Sequence, residues 1–165
     1  MRIIHEQVHA TCVAIGGAGV LLLGPSGAGK SDLALRLIDG GGPEGPRLVA
    51  DDRVDLNLRD GRIWATAPEP LKGLLEVRGI GIMPMKHTDE APISLVCDLV
   101  APGMIERLPE VRTTDILGQD VPFIRLAPFE ASAPAKIRLA LRRMPWEERL
   151  ADVITLPGRV GEQGP

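Results

Sequence analysis

Apolar residues fall into short blocks along the chain, separated by glycine, proline and acidic pairs, and the period inside each block predicts its element. Val8–Ile15 reads as a strand, Gly16–Gly19 as a tight glycine turn, and Val20–Leu23 as a second strand. The period then lengthens. Leu33, Ala34, Leu37 and Ile38 recur at helical spacing and predict a helix over Lys30–Asp39. The run GGGPEGP at Gly40–Pro46 stops it and reads as a mobile surface loop. Arg47–Ala50 is a short strand running into Asp51 and Asp52, and Val54–Leu58 with Ile63–Ala67 flank Asp60-Gly61, a hairpin signal. Leu74–Met85 is an apolar segment broken by Gly79 and Gly81, while Ile93–Val100 and Val121–Leu126 read as buried strands. The stripe Ile137, Ala140, Leu141, Met144 marks a helix from about Pro134 that stops at Pro145. A shorter helix is expected over Trp146–Val153 and a frayed tail over Leu156–Pro165. This succession predicts an α/β fold with a mixed β-sheet and flanking helices, built as one domain over residues 1–155 with a flexible tail at 156–165.

Composition narrows the function classes. The 165 residues include two Phe, two Trp and no Tyr, so the core must come from Leu, Ile, Val, Ala and Met. Scarce aromatics and a net charge of −3 argue against a nucleic-acid surface, which needs stacking platforms and a basic footprint. Cys12 and Cys97 each sit in an apolar run without a CxxC or Cys/His cluster, so they read as buried reduced thiols in a cytoplasmic protein rather than zinc ligands. The start MRIIHEQVHA carries charges and histidines, unlike a signal peptide, and no apolar run is long enough to span a bilayer.

The strongest chemical signal is GPSGAGKS, which matches G-x-x-x-x-G-K-S/T over Gly24, Pro25, Ser26, Gly27, Ala28, Gly29, Lys30 and Ser31. Phosphate oxygens must be wrapped by successive backbone N–H groups, and glycine permits that curvature. The following helix adds the positive end of its dipole. Lys30 can reach the β and γ phosphates, and the Ser31 hydroxyl can ligate Mg²⁺. An apolar strand before the loop and an amphipathic helix after it supply the required context. The GGAG run at 16–19 lacks the spacing of a dinucleotide fingerprint.

Other groups are ambiguous by composition. Asp51 and Asp52 end a short strand beside the loop, where acids hold Mg²⁺, accept a hydroxyl proton, or merely cap a turn. Adjacent side chains on an extended chain point to opposite faces, so one of the pair is expected to face the phosphates. His9 and Arg107 read as ordinary structural or surface residues. Glu76, embedded in LEVRGIGIM, needs a partner if buried, and a metal ion or Arg78 would serve. The basic residues Lys136, Arg138, Arg142 and Arg143 read as a solvated helix face.

Taken together, VHA at His9, GPSGAGKS, RLVADD, LLEVRGIGIM and IERL resemble, in that order, the C-terminal catalytic domain of the HPr kinase/phosphorylase family. The likeness runs from about His9 to Leu141 and looks like a short, alphaproteobacterial form without the family's N-terminal domain. It implies the phosphate-loop fold of the HPr kinase and phosphoenolpyruvate carboxykinase type. It further implies ATP- and Mg²⁺-dependent phosphorylation of a serine on an HPr-like carrier protein, with phosphorolysis as the reverse, and a cytoplasmic homohexamer. By the same resemblance His9, Lys30 and Arg107 are catalytic, Ser31 and Glu76 are metal ligands, and the proton-accepting acid lies within Asp51-Asp52, with a lean towards Asp52. The segment that carries an R-P-G-R-like run in the family reads FIRLAPFEA here. Two other classes stand beside this reading. A small-molecule kinase would turn over ATP with a metabolite, whereas a non-catalytic ATP sensor would bind without phosphoryl transfer.

Overall fold

The computed structural model describes residues 5–143. The strand β1 (His5–His9) pairs antiparallel with β5 (Arg53–Arg59), and β2 (Thr11–Ile15) pairs with both β3 (Ala18–Leu23) and β4 (Arg47–Ala50). Val8–Ile15 is therefore two strands rather than the single one expected. The chain changes partners at Ala10, whose N–H donates to the Asp52 carbonyl at 3.3 Å and whose side chain is buried. Pattern could not reveal this, because apolar character continues across the break. The β2–β3 turn is shorter than expected: Ile15 pairs with Ala18 across Gly16 and Gly17, both at positive φ, the conformation a two-residue hairpin requires.

Helix α1 (Lys30–Asp39) has the expected bounds and buries Leu33, Ala34, Leu37 and Ile38. β5 and β6 (Arg62–Thr66) form the Asp60-Gly61 hairpin, with both turn residues at positive φ. The glycine-broken apolar segment is a small hairpin of β7 (Leu74–Val77) and β8 (Gly81–Pro84). Strand β9 (Glu90–Leu99) is the organiser of the molecule. Its start pairs antiparallel with β6, and its later part runs parallel to β3 on one side and to β11 (Gln119–Leu126) on the other. Sequence pattern missed β10 (Arg112–Ile116), a strand of polar and half-buried residues that, among the described residues, pairs only with β11. Helix α2 (Ala133–Arg142) ends the described region. The predicted helix over Trp146–Val153 and the tail over Leu156–Pro165 lie outside the described residues.

Period-two alternation separates two cores. Val13, Val20, Leu22, Leu48, Leu95 and Cys97 face α1 and α2, whereas Cys12, Leu21, Val49 and Val96 face the β5–β6 layer. The helices thus cover one face of the main sheet, and strands β1, β5 and β6, continuous with it through the β6–β9 pairing, fold over the other. The expected mixed sheet with flanking helices is therefore present, with both described helices on one face. Each fully buried Leu or Val stabilises the stack by about 1.5–3 kcal/mol. Cys12 and Cys97 are free and fully buried, and burial pushes both thiols up. Because β3, β4, β9 and β11 share a direction, the segments following β3, β4 and β11 emerge at one edge of the sheet.

Candidate active site

A cleft of about 550 Å³ opens at that edge. Its first wall is the glycine-rich loop, residues 24–29, between β3 and α1. Gly29 has φ 94°, and an added Cβ would lie 2.9 Å from the Phe129 ring, so both backbone and packing demand glycine. No side chain caps α1 at this residue, which leaves first-turn N–H groups without an intrahelical acceptor. Lys30, the first helical residue, is largely buried, and its ammonium folds back to donate to the carbonyls of Gly24 (2.6 Å) and Pro25 (3.0 Å). Burial lowers the Lys30 pKa, and the negative charges of Asp51 and Asp52 oppose that shift.

The floor is Asp51, which is 6% exposed. Its Oδ1 accepts from the hydroxyls of Thr11 and Ser31, both at 2.8 Å, and its Oδ2 accepts from the Glu76 backbone N–H at 3.2 Å. These donors come from β2, α1 and β7, so one carboxylate ties three elements together. Thr11 carried no motif and was not anticipated; a polar residue in an otherwise buried strand was its only signal.

Asp52 behaves differently. Its φ of 66° lies in the left-handed region, and the Arg53 N–H closes a three-residue turn onto the Asp51 carbonyl at 2.8 Å. The chain is therefore not extended here, and both aspartates line the same cleft instead of facing apart as expected. The Asp52 side chain is 60% exposed, with His9 Nδ1 3.3 Å away. The β1–β5 register explains the contact, since His9 pairs with Arg53.

Glu76 is also exposed, because alternation in β7 buries Leu75 and turns Glu76 outwards. Its carboxylate is not the buried charge that the apolar surroundings suggested, and it makes no ion pair with Arg78 among the described residues. Arg78 instead lies over the glycine-rich loop, its Nη2 4.0 Å from where a Gly27 Cβ would stand. The structure gathers His9, Lys30, Ser31, Asp51, Asp52 and Glu76 around one cleft but leaves Arg107 outside it, exposed in the bend that follows a short 3₁₀ turn at Pro102–Met104.

The donor set of Ser31, Asp51 and Glu76 is entirely oxygen, which suits a hard cation. No cluster of three or more His, Cys, Asp or Glu forms a complete metal cage among the described residues. Oxygen donors fit Mg²⁺, which keeps waters and takes substrate phosphates as further ligands.

Fold and cleft define an α/β protein with a strand–glycine loop–helix unit facing the buried Asp51 carboxylate at the C-terminal edge of a mixed sheet. The chain belongs to the HPr serine kinase C-terminal domain family, whose model matches residues 3–137. It is similar to the HPr kinase/phosphorylase of Lactobacillus delbrueckii subsp. bulgaricus, at 46% identity over 58% of this chain and 31% of that protein. It is also similar to the HPr kinase/phosphorylase of Prosthecochloris aestuarii, at 35% identity over 74% of this chain and 38% of that protein. This chain spans about a third of the length of these curated relatives. Among solved structures, the Hpr(Ser) kinase/phosphatase of Coxiella burnetii matches with a TM-score of 0.75 at 28% identity, covering 90% of this chain and 96% of that one.

Proposed function

We propose that this chain is a protein-serine kinase domain that transfers the γ-phosphoryl group of ATP, with Mg²⁺, to a serine of an HPr-like carrier protein. The observation that carries the reading is the convergence of Ser31, Thr11 and the Glu76 amide on Asp51, directly beside Lys30 and the glycine-rich loop. The uncapped first turn of α1 and the loop amides supply anion-binding N–H groups, and Lys30 supplies a positive charge at the loop's mouth.

Asp51 is buried and accepts from Thr11, Ser31 and the Glu76 amide, so its role is to orient Ser31 and the floor of the site. Asp52 is free to reach an incoming hydroxyl and is the proposed proton acceptor, with His9 holding its carboxylate in place. Ser31 and Glu76 would hold Mg²⁺ together with the nucleotide's phosphates, and the ion's chemistry is neutralisation of phosphate charge. In the reverse direction the same Asp52 would return the proton, which accommodates the paired activities in the relatives' names. Arg107 would have to approach the cleft from where it lies to neutralise charge on the transferring group. A cytoplasmic homohexamer belongs to the same proposal; no helix among the described residues is long and apolar enough to cross a membrane.

The test is phosphoryl transfer. Protein, ATP and Mg²⁺ are mixed with the HPr-like carrier of the same organism, and the carrier is read by mass spectrometry. One phosphate added on serine, lost with Asp52→Asn, is the expected result. An unmodified carrier despite ATP binding would overturn the reading in favour of a small-molecule kinase or an ATP sensor.

A further inference from the structure

The cleft has two sides, and the proposed phosphoryl chemistry uses only one. In the main sheet the strands run β4-β2-β3-β9-β11, with the glycine-rich loop leaving the central β3. Asp51 and Asp52 follow β4, two strands to one side. Pro128 and Phe129 follow β11, two strands to the other side. At a strand spacing of about 4.8 Å, the ends of β4 and β11 lie roughly 19 Å apart across the loop.

Phe129 sits on that second side, 71% exposed, yet it lines the same cleft as Lys30 and Asp52. Its ring edge lies against Gly29, where the loop becomes helix α1, and most of the ring stays open to solvent. Among the described residues lining the cleft, it is the only phenyl or indole ring, in a chain with two Phe, two Trp and no Tyr. The loop bearing it is held in place. Arg36 of α1 donates to the carbonyls of Pro128 and Glu130, on either side of Phe129, while also pairing with Asp32 at 3.0 Å. An exposed phenyl ring has no stabilising reason to be clamped in this way, whereas a ring awaiting a flat apolar partner does.

Resting on the nucleotide reading of the cleft, we infer that Phe129 is the stacking platform for the nucleotide base. The direction of the ligand follows from charge and chemistry. The transferable phosphate must lie towards Asp52 and His9, where the acceptor hydroxyl is deprotonated. The nucleoside therefore leaves the loop on the side away from the acids, over Gly29 and towards Phe129. Leu35, half-buried on α1, contributes further apolar lining to the cleft. Arg36 acts as a positioning residue for this ring. A base-stacking contact is sequence-tolerant because every base presents a π face, so discrimination between purine nucleotides would be weak.

The experiment compares ATP with inorganic tripolyphosphate, which carries the phosphates without a base, by calorimetry on the wild type, Phe129→Ala and Phe129→Trp. Phe129→Ala is expected to weaken ATP about tenfold and to leave tripolyphosphate unchanged. Phe129→Trp is expected to keep ATP affinity, with indole fluorescence quenched by ATP and not by tripolyphosphate. Equal weakening of both ligands in Phe129→Ala would overturn the inference, since the ring would then only be shaping the loop at Gly29. So would ATP binding that ignores the substitution. Wild-type protein that binds neither ligand would instead remove the nucleotide reading of the cleft itself, and this inference with it.

Discussion

Asp51 and Asp52 are chain neighbours, yet one belongs to the floor of the cleft and the other to its rim. Asp51 is buried, and its two oxygens take three hydrogen bonds from three elements. Asp52 is exposed, sits at a positive φ, and has His9 as its neighbour. A buried carboxylate is tolerable only when it is hydrogen-bonded, and Asp51 meets that condition. An exposed carboxylate on a strained turn contributes little to stability and remains available for chemistry. Adjacent residues of the same type thus differ in burial and bonding, and the proposed split between structural floor and proton acceptor rests on that difference.

The most severe way to break this division is Asp52→Asn. It preserves shape but removes the proposed proton acceptor, so transfer to the carrier should fall by roughly 10²–10⁴-fold. Calorimetry should find ATP binding little changed, and unfolding free energy should move by less than about 0.5 kcal/mol. If Asp52→Asn instead unfolds the protein while Asp51→Asn merely slows it, the assignment of floor and rim is reversed.

Asp51→Ala strikes the floor. The buried Thr11 hydroxyl and the Glu76 amide lose their acceptor, and stability should drop by about 2–3 kcal/mol in denaturant unfolding. Replacing Thr11 by Val together with Asp51→Ala removes one orphaned donor as well, so the double change should cost less than the sum of the two single ones.

Asp52→Gly sharpens the comparison from the opposite direction. Glycine adopts φ 66° without strain, so the variant should gain up to about 1 kcal/mol of stability while losing phosphoryl transfer. A variant both less stable and inactive would show that Asp52 stabilises the turn it occupies.

The smallest effect concerns Lys30, and only its sign is at issue. Burial lowers its pKa in the folded protein below the ordinary 10.5. Between the folded and unfolded values the unfolded chain binds more protons, so stability rises with pH in that window. Wild type should therefore gain stability relative to Lys30→Met as pH climbs towards 10.5, tracked by thermal melts. Polyphosphate affinity should move the opposite way, falling as the ammonium loses its proton.

The local parts of the site were legible before any fold was known. GPSGAGKS between an apolar strand and an amphipathic helix predicted a loop and helix whose bounds the structure reproduces at Lys30–Asp39. The Asp60-Gly61 turn and the Arg47–Ala50 strand were equally readable, because each depends on neighbours a few residues away. His9, Glu76 and Arg107 gained meaning only through family resemblance. The first two line the cleft, and Arg107 lies outside it. Thr11 escaped notice because a single polar residue in a buried strand carries no motif, and its acceptor lies 40 residues away in the chain. β10 escaped because its half-buried positions are Arg112, Thr114 and Ile116, so its alternating burial leaves no apolar–polar period in the sequence.

By itself the amino-acid order determined the periodicities, the turns and the glycine-rich loop, since those follow from backbone sterics and side-chain spacing over a few residues. Which aspartate is buried was decided only by tertiary structure. Asp51 faces donors 40, 20 and 25 residues away in the chain, and only the register of β2, β4 and β7 brings them within hydrogen-bond reach. The same holds for Phe129, which lies beside Gly29 because β11 and β3 both run parallel to the β9 between them. Sequence separation carries no information about such approaches, because strand pairing sets them and pairing depends on the whole sheet.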